Sequence, residues 1–170
     1  AILDLAHAAE RTFFDVLERA ELPLVISHAG CRAVHDTPRN VSDDQLRALA
    51  ERGGVIGMMA LPIVVDPDEP TIDRFIDHVD HAVETIGIDH VGLGADFIRQ
   101  VARSLAVRTP PDALLPPGME LDAAIESLAG PEDYPNLVAA LRTRGYEGER
   151  LEALLGRNLL RLFRESLPAS

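Results

Sequence analysis

Four short, almost wholly apolar runs alternate with longer amphipathic stretches, and this alternation limits what the chain can fold into. The runs are Ile2 to Ala6, Leu24 to Ile26, Val55 to Leu61 and His90 to Ala95. Each is too short for an ordinary helix and is bounded by residues that cap or break. Between the first two, residues 8–20 set Phe13, Phe14, Val16 and Leu17 among polar neighbours, which predicts a helix. Ser42-Asp43-Asp44-Gln45 has capping-box spacing: the Ser42 hydroxyl can accept from the N3 amide while Gln45 reaches back to the cap. Leu46 and Leu49 follow on the buried side, and Gly53-Gly54 ends that helix. Residues 71–86 carry the clearest helical period, with Ile72, Phe75, Ile76, Val79, Val83 and Ile86 on one stripe and Gly87 at the stop. Strand, helix, strand, helix predicts a parallel sheet of βαβ units. Runs this apolar imply cover on both faces of the sheet.

Residues 98–133 change character, interrupted by Thr109-Pro110-Pro111 and Pro116-Pro117-Gly118, and read as an insertion after the fourth strand. Two helices are expected near 134–144 and 149–165. The second carries Leu151, Leu154, Leu155, Leu159, Leu162 and Phe163 on one side. The 170 residues thus read as one α/β unit or part of one. The chain opens inside a buried strand, with no initiator Met and no charged leader, so the expectation is a piece of something longer.

Charge and composition exclude several classes. Sixteen basic residues against 28 acidic ones give a net charge of −12, a poor basis for neutralising nucleic-acid phosphates. No apolar run approaches the roughly 18 residues of a membrane-spanning helix. There is no Lys, which excludes Schiff-base and lysine-base chemistry from this chain and suggests a bacterial coding sequence of high GC content. The single Cys31 allows no internal disulfide and points to a reducing, cytoplasmic setting, with the thiol serving as a small apolar side chain.

Three of the four runs stop at a residue able to bind metal or move protons: His7, His28 and Asp96. Parallel α/β sheets collect their chemistry at the carboxyl ends of the strands. His7 and His28 sit on consecutive strands, about 4.8 Å apart as backbones. Their imidazoles can converge on one Zn²⁺ at about 2.1 Å, or each can be a hydrogen-bonded strand end without metal. His90 starts its strand and should sit on the opposite face of the sheet from His7 and His28, which argues against it as a ligand. His78 and His81, in Asp77-His78-Val79-Asp80-His81, resemble a metal box but read as the solvated side of the helix. His35, in the loop after His28, can reach the mouth, and its role stays open. Arg39 lies in the same loop and can grip a carboxylate bidentately or simply brace the loop. Asn40-Val41-Ser42 matches a glycosylation sequon, but Ser42 is used as a cap. Gly92-Leu93-Gly94 permits close packing near a strand end and is weak evidence for phosphate binding.

Five ordered segments resemble the membrane (renal-type) dipeptidases, the M19 metallopeptidases. They are Leu3-Asp4-Leu5-Ala6-His7, Pro23-Leu24-Val25-Ile26-Ser27-His28, Pro38-Arg39-Asn40-Val41-Ser42-Asp43, Gly53-Gly54-Val55-Ile56-Gly57, and Gly87 through Phe97. Tyr134-Pro135-Asn136-Leu137 and Leu155-Gly156-Arg157-Asn158-Leu159-Leu160 resemble the family's closing segments. The resemblance implies a (β/α)₈ TIM-type barrel of which this chain is the C-terminal half. Four βα units would span residues 1–97, followed by the insertion and the C-terminal helices. It implies two Zn²⁺ ions sharing a hydroxide that attacks the peptide bond of a dipeptide. By the same resemblance His7 and His28 are ligands of the second zinc, Arg39 holds the substrate's terminal carboxylate, Asp96 is the catalytic acid, and the enzyme is a homodimer.

Two departures stand out. The family continues Asp-Phe-Asp-Gly where this chain reads Asp96-Phe97-Ile98-Arg99, and the His-x-Asp spacing occurs here only as His78-Val79-Asp80, inside the predicted 71–86 helix, and not as the early strand-end motif that binds the family's first zinc. A barrel of this type uses about 250 residues. The expected partner is therefore the missing N-terminal half, and the isolated chain is expected to have little or no peptidase activity. Two other readings remain at this stage. One is a related bimetal amidohydrolase acting on a lactone or cyclic amide, and the other a non-catalytic half-barrel assembly module.

Overall fold

The computed structural model describes residues 1–99, 104 and 123–167. The proline clusters of the expected insertion lie outside the described residues. Helix α1 (Glu10–Arg19) is followed by strand β1 (Val25–Ala29), α2 (Asp43–Glu51), β2 (Val55–Met58), the short α3 (Pro62–Val65), α4 (Ile72–Ile86) and β3 (Val91–Leu93). Then come α5 (Tyr134–Thr143), α6 (Gly148–Glu152), a wide turn over Ala153–Arg157, and α7 (Asn158–Ser166). The strands form a parallel sheet in the order β1-β2-β3, with Val25 paired to Val55 and Ile56 to Val91. The parallel α/β expectation is thereby met.

The first expected strand is reduced to a single parallel bridge between Asp4 and Val25. The Leu5 amide donates to the Val25 carbonyl at 2.8 Å, and the Val25 amide to the Leu3 carbonyl at 3.1 Å. Extension stops there because the Asp4 carboxylate folds back onto the backbone. It accepts from the Ala6 amide and, across the strands, from the Ser27 amide, each at 3.0 Å.

Both faces of the sheet are covered. Ile26 and Ile56 join the main core with Phe13, Leu46, Phe75 and Val79 from the helices. On the other face Val25 and Val55 pack with Leu162 and Leu159 of α7. Helix α2 starts with the expected capping box: the Ser42 Oγ accepts from the Gln45 amide at 3.3 Å, and the Gln45 Oε1 accepts from the Ser42 amide at 3.0 Å. Helix α4 begins at the Thr71 cap and stops at Gly87, whose φ of 84° suits glycine.

The last predicted helix is not continuous. Gly156, at φ 153°, breaks it and turns the second segment about its axis. As a result Leu151, Leu154 and Leu162 are buried, whereas Leu155 and Phe163 are 44% and 43% exposed. A single helical stripe does not survive that break. Asn158, just beyond it, donates through Nδ2 to the carbonyls of Ile88 and Val91, each at 2.7 Å, and so ties α7 to the start of β3.

His78 corrects a second expectation. Its helix face is not solvated: the residue is 1% exposed. The Cys31 amide donates to Nδ1 and Nε2–H donates to the Val65 carbonyl, each at 2.9 Å. One neutral imidazole thus satisfies backbone groups of the loop after β1 and of α3. Burial drives its pKa down to about 4, with the Val65 hydrogen bond working in the opposite direction. The unfolded chain therefore takes up a proton near 6.5 that the folded chain refuses until about 4, and stability falls as pH drops through that window. Urea unfolding is expected to show a loss of roughly 2–3 kcal/mol between pH 7.5 and 4.5 from this residue. Carboxylates titrate in the same range, so the check is His78→Gln, which should remove that part of the pH dependence. An unchanged slope in the variant would reject the assignment.

Candidate functional site

The site forms where the strands end. His7 follows the Asp4 bridge and adopts φ 64°, and Asp96 follows β3 at φ 54°. His and Asp are among the non-glycine residues that tolerate this left-handed region, and such conformations collect where a side chain must be aimed. Both turns bring their side chains to the end of β1. His7 Nε2 lies 2.9 Å from His28 Nε2, with the rings 65° apart in an edge-on arrangement. Asp96 Oδ2 is 3.9 Å from His28 Nε2. The three strand-end residues singled out from sequence therefore stand together.

Close packing of backbone brings these strand ends into register. A Cβ placed on Gly57 would lie 2.2 Å from the Ser27 carbonyl oxygen, and one on Gly94 would lie 1.9 Å from it. Two glycines thus let β2 and β3 close against the residue that precedes His28. Ser27 Oγ in turn lies 2.8 Å from His28 Nδ1, which leaves Nε2 as the nitrogen facing the site.

Arg39 is carried by a loop that is pinned at several points. Cys31 and Val41 form a parallel bridge across its base. Asn40, buried beside Arg39, accepts through Oδ1 from the Gly30 amide at 3.0 Å. Its Nδ2 donates to the carbonyls of His35 and Val64 at 2.8 and 2.9 Å. A buried amide with both ends satisfied fixes a loop firmly, and it cannot be a glycan acceptor in this fold. Arg32 adds contacts to Glu10 and to the Asn40 carbonyl, each at 3.2 Å. Arg39 Nη2 rests 3.7 Å from Met59 Sδ, a weak partner and, among the described residues, the guanidinium's only hydrogen-bond partner. A cavity of about 200 Å³ has both His7 and Arg39 in its wall.

The charges in this corner act on one another. Burial lowers the pKa of His7, and the Arg39 and His28 charges lower it further, against the pull of Asp96 and Asp4. The neutral imidazole so favoured is the form that binds a metal. Burial also lowers Arg39, opposed by Asp96. Burial by itself would raise Asp4, but hydrogen bonds from Ser27 and Ala6 outweigh it and hold the carboxyl below its usual range.

The donor set suits a zinc ion. A tetrahedral ion about 2.1 Å from each of two nitrogens sets them about 3.4 Å apart, so His7 and His28 need to open by only about 0.5 Å. Among the described residues, no group of three or more His, Cys, Asp or Glu has the arrangement of a complete metal site.

The other sequence candidates lie elsewhere. His90 Nδ1–H donates to the Gly54 carbonyl at 2.8 Å, at the start of the strands and away from His7 and His28. His35 contributes its carbonyl to Asn40. The Asp77–His81 box is taken up by packing. Asp77 and Asp80 are held by Arg144 at 2.9 and 2.6 Å, Tyr146 donates to Asp80 at 2.7 Å, and His81 Nε2 is 2.7 Å from Asp43. Cys31 is fully buried and its thiol is pushed up to about 12, which makes it unreactive. Sequence reading missed Ser27 and Met59 as neighbours of the site and Asn40 as the loop's anchor. Only Asp4, a charge inside an apolar run, left a signal that could have been followed.

Comparison with known proteins gives consistent matches. The family model for membrane dipeptidase, peptidase family M19, matches residues 1–107. Dipeptidase tcpJ of Claviceps purpurea (strain 20.1) is 32% identical over 166 residues, which are 96% of this chain and 34% of that protein. The crystal structure of dipeptidase AC, a metallopeptidase of family M19, superposes with a TM-score of 0.79 at 27% identity, over 98% of this chain and 44% of the other. A metallopeptidase from Rhodobacter sphaeroides, liganded with a phosphinate mimic of the dipeptide L-Ala-D-Ala, gives 0.75 at 29% identity, over 97% and 42%. The chain thus spans about a third of the curated dipeptidase and less than half of either solved metallopeptidase.

Proposed function

The chain belongs to the membrane dipeptidase family, peptidase family M19, and from that premise we propose that it supplies part of the active site of a zinc-dependent dipeptidase. The observation that carries this reading is the meeting of His7, His28 and Asp96 at one end of a parallel sheet, with Arg39 sharing a cavity wall with His7. Its four consecutive parallel segments form the C-terminal half of a (β/α)₈ barrel, and the remaining zinc ligands come from the part of the relatives that this chain does not cover.

His7 and His28 would hold zinc through Nε2. Zinc in such a site lowers the pKa of water toward about 7 and polarises the amide carbonyl. The chain's own residues do the rest. Arg39 binds the substrate's terminal carboxylate with two parallel hydrogen bonds and so fixes which amide faces the metal. Asp96, next to His28, carries the proton that the departing amine requires.

Arg39→Ala in the full-length protein tests the substrate class. KM for a free dipeptide is expected to rise by about tenfold or more, since charge-assisted bonds contribute roughly 1.5–3 kcal/mol. The wild-type enzyme should handle a dipeptide amide, which lacks the carboxylate, as poorly as the variant does. Equal use of dipeptide and dipeptide amide by the wild type would instead indicate an amidohydrolase with another substrate. Wild-type KM in the variant would remove Arg39 from the site.

A further inference from the structure

We infer that Tyr134 is a positioning residue for Asp96: its ring, edge-on to Phe97, holds the left-handed turn that aims the Asp96 carboxylate. The inference rests on the reading of Asp96 as the group that carries the proton.

Asp96 needs a hold from outside. Its φ of 54° is an unfavourable conformation for any residue with a Cβ. Such a conformation persists only where the surroundings over-determine it. The Asp96 side chain does not supply that hold, because Oδ2 lies 3.9 Å from His28 Nε2, too far for a hydrogen bond. The residues on either side supply it. Before the turn the backbone is fixed to β2 and its continuation. The Gly94 amide donates to the Met58 carbonyl and the Ala60 amide to the Ala95 carbonyl, each at 3.0 Å. After the turn the chain is fixed by packing. The Phe97 ring meets the Tyr134 ring at a centroid distance of 5.9 Å and an angle of 86°, an edge-to-face pair. Ile98 then packs against Met59, Leu61 and Val64. With both flanks tied, rotation of Asp96 toward an ordinary φ would pull Phe97 off Tyr134.

Tyr134 is well placed to act as the fixed partner. It is the first residue of α5, which is anchored in the core by Leu137 and Leu141. The turn before it is tied as well. Asp133 accepts from the Ala129 amide at 2.8 Å, and Asn136 Nδ2 donates to the Ser127 carbonyl at 3.1 Å. Burial raises the pKa of the Tyr134 phenol above its ordinary value, so the group stays neutral and offers Phe97 an uncharged ring. A residue of the closing helices, more than thirty positions beyond Asp96, thereby governs where its carboxylate points.

The test is steady-state kinetics of the zinc-loaded full-length protein on a free dipeptide. Tyr134→Leu is expected to lower kcat about tenfold or more with KM and zinc content unchanged, since misplacing a reacting group by about 1 Å can cost about 10²-fold. Tyr134→Phe keeps the edge-on ring and should keep wild-type kcat. In an Asp96→Asn background Tyr134→Leu should cost nothing further, because its effect passes through that carboxylate. NMR of zinc-depleted protein reads the backbone directly. The amide–Hα coupling and carbon shifts of Asp96 should report a left-handed turn in the wild type and in Tyr134→Phe, and its loss in Tyr134→Leu. Where Tyr134→Leu fails to fold, Phe97→Leu removes the other ring of the pair and should give the same fall in kcat. A purely structural role would lower the melting temperature and leave kcat of the zinc-loaded enzyme intact, or would lower kcat equally with and without Asp96. Either result overturns the inference. A Tyr134→Phe variant as slow as Tyr134→Leu would make the hydroxyl the working group and would overturn it too. Wild-type turnover in Asp96→Asn alone would remove the acid itself, and the inference would fall with that reading.

Discussion

Asn in place of Asp96 in the full-length protein is expected to lower kcat for a dipeptide by roughly 10²–10⁴-fold, the range that a positioned proton-transfer group supplies. Zinc content and melting temperature should be unchanged. The substitution is clean for a local reason. Asp96 sits at φ 54°, and Asn tolerates this left-handed region at least as well as Asp. The backbone turn that aims the side chain therefore survives, and only the ability to hold a proton is lost. Asp96 Oδ2 lies 3.9 Å from His28 Nε2, beyond hydrogen-bond reach, so the imidazole does not depend on it for orientation. Asp96 also faces the Arg39 charge. Loss of its carboxylate leaves that guanidinium less compensated and, if anything, more avid for the substrate's own carboxylate. A fall in kcat with KM steady or lower would fit this arrangement. A variant with wild-type turnover would assign the proton to another group, and one that lost zinc would make Asp96 a metal ligand rather than an acid.

The parts of this molecule that could be read from sequence are those in which one local rule acted alone. The Ser42–Gln45 cap, the α4 stripe and its Gly87 stop depend on spacing within a few residues, and they form as expected. The convergence of His7, His28 and Asp96 was legible for a similar reason: parallel strands present their last residues at a common end. Readings failed where a distant partner decided the outcome. His78 looks solvent-facing on a helical wheel, yet backbone groups at Cys31 and Val65 need its two nitrogens. Asn40, rightly set aside as a sequon, showed no sign of a role of its own, yet its amide joins Gly30 to Val64. The stripe from Leu151 to Phe163 looks continuous until Gly156 rotates its second half. The Ile2–Ala6 strand stops at one bridge because Asp4 bonds back to Ala6 and across to Ser27, and no propensity scale registers that choice.

Two glycines, one on β3 and one just past its end, give the sharpest contrast in expected stability. Gly92→Ala should be close to neutral. Its new Cβ would meet Leu159 Cγ at 3.4 Å and Val55 Cγ1 at 3.7 Å, ordinary contacts with side chains that can adjust. Gly94→Ala, two residues further along, puts the same methyl 1.9 Å from the Ser27 carbonyl oxygen and 3.1 Å from the Gly57 Cα. Both are backbone, and Gly94 is itself tied by its amide to the Met58 carbonyl at 3.0 Å. Neither side can give way without parting β3 from β2 or pushing Ser27 outward. Overpacking of this kind costs about 1–3 kcal/mol where side chains can adapt, and more where backbone must move. The expected loss is therefore about 3 kcal/mol or greater, read as the difference in urea unfolding between the two alanine variants. The displacement also has a direction. Ser27 precedes His28, so a Gly94→Ala protein that remains folded should bind zinc more weakly, whereas Gly92→Ala should bind it as the wild type does. Equal stability in the two variants would mean that the strand ends are not packed backbone to backbone, and the mutual aim of His7 and His28 would then need some other cause.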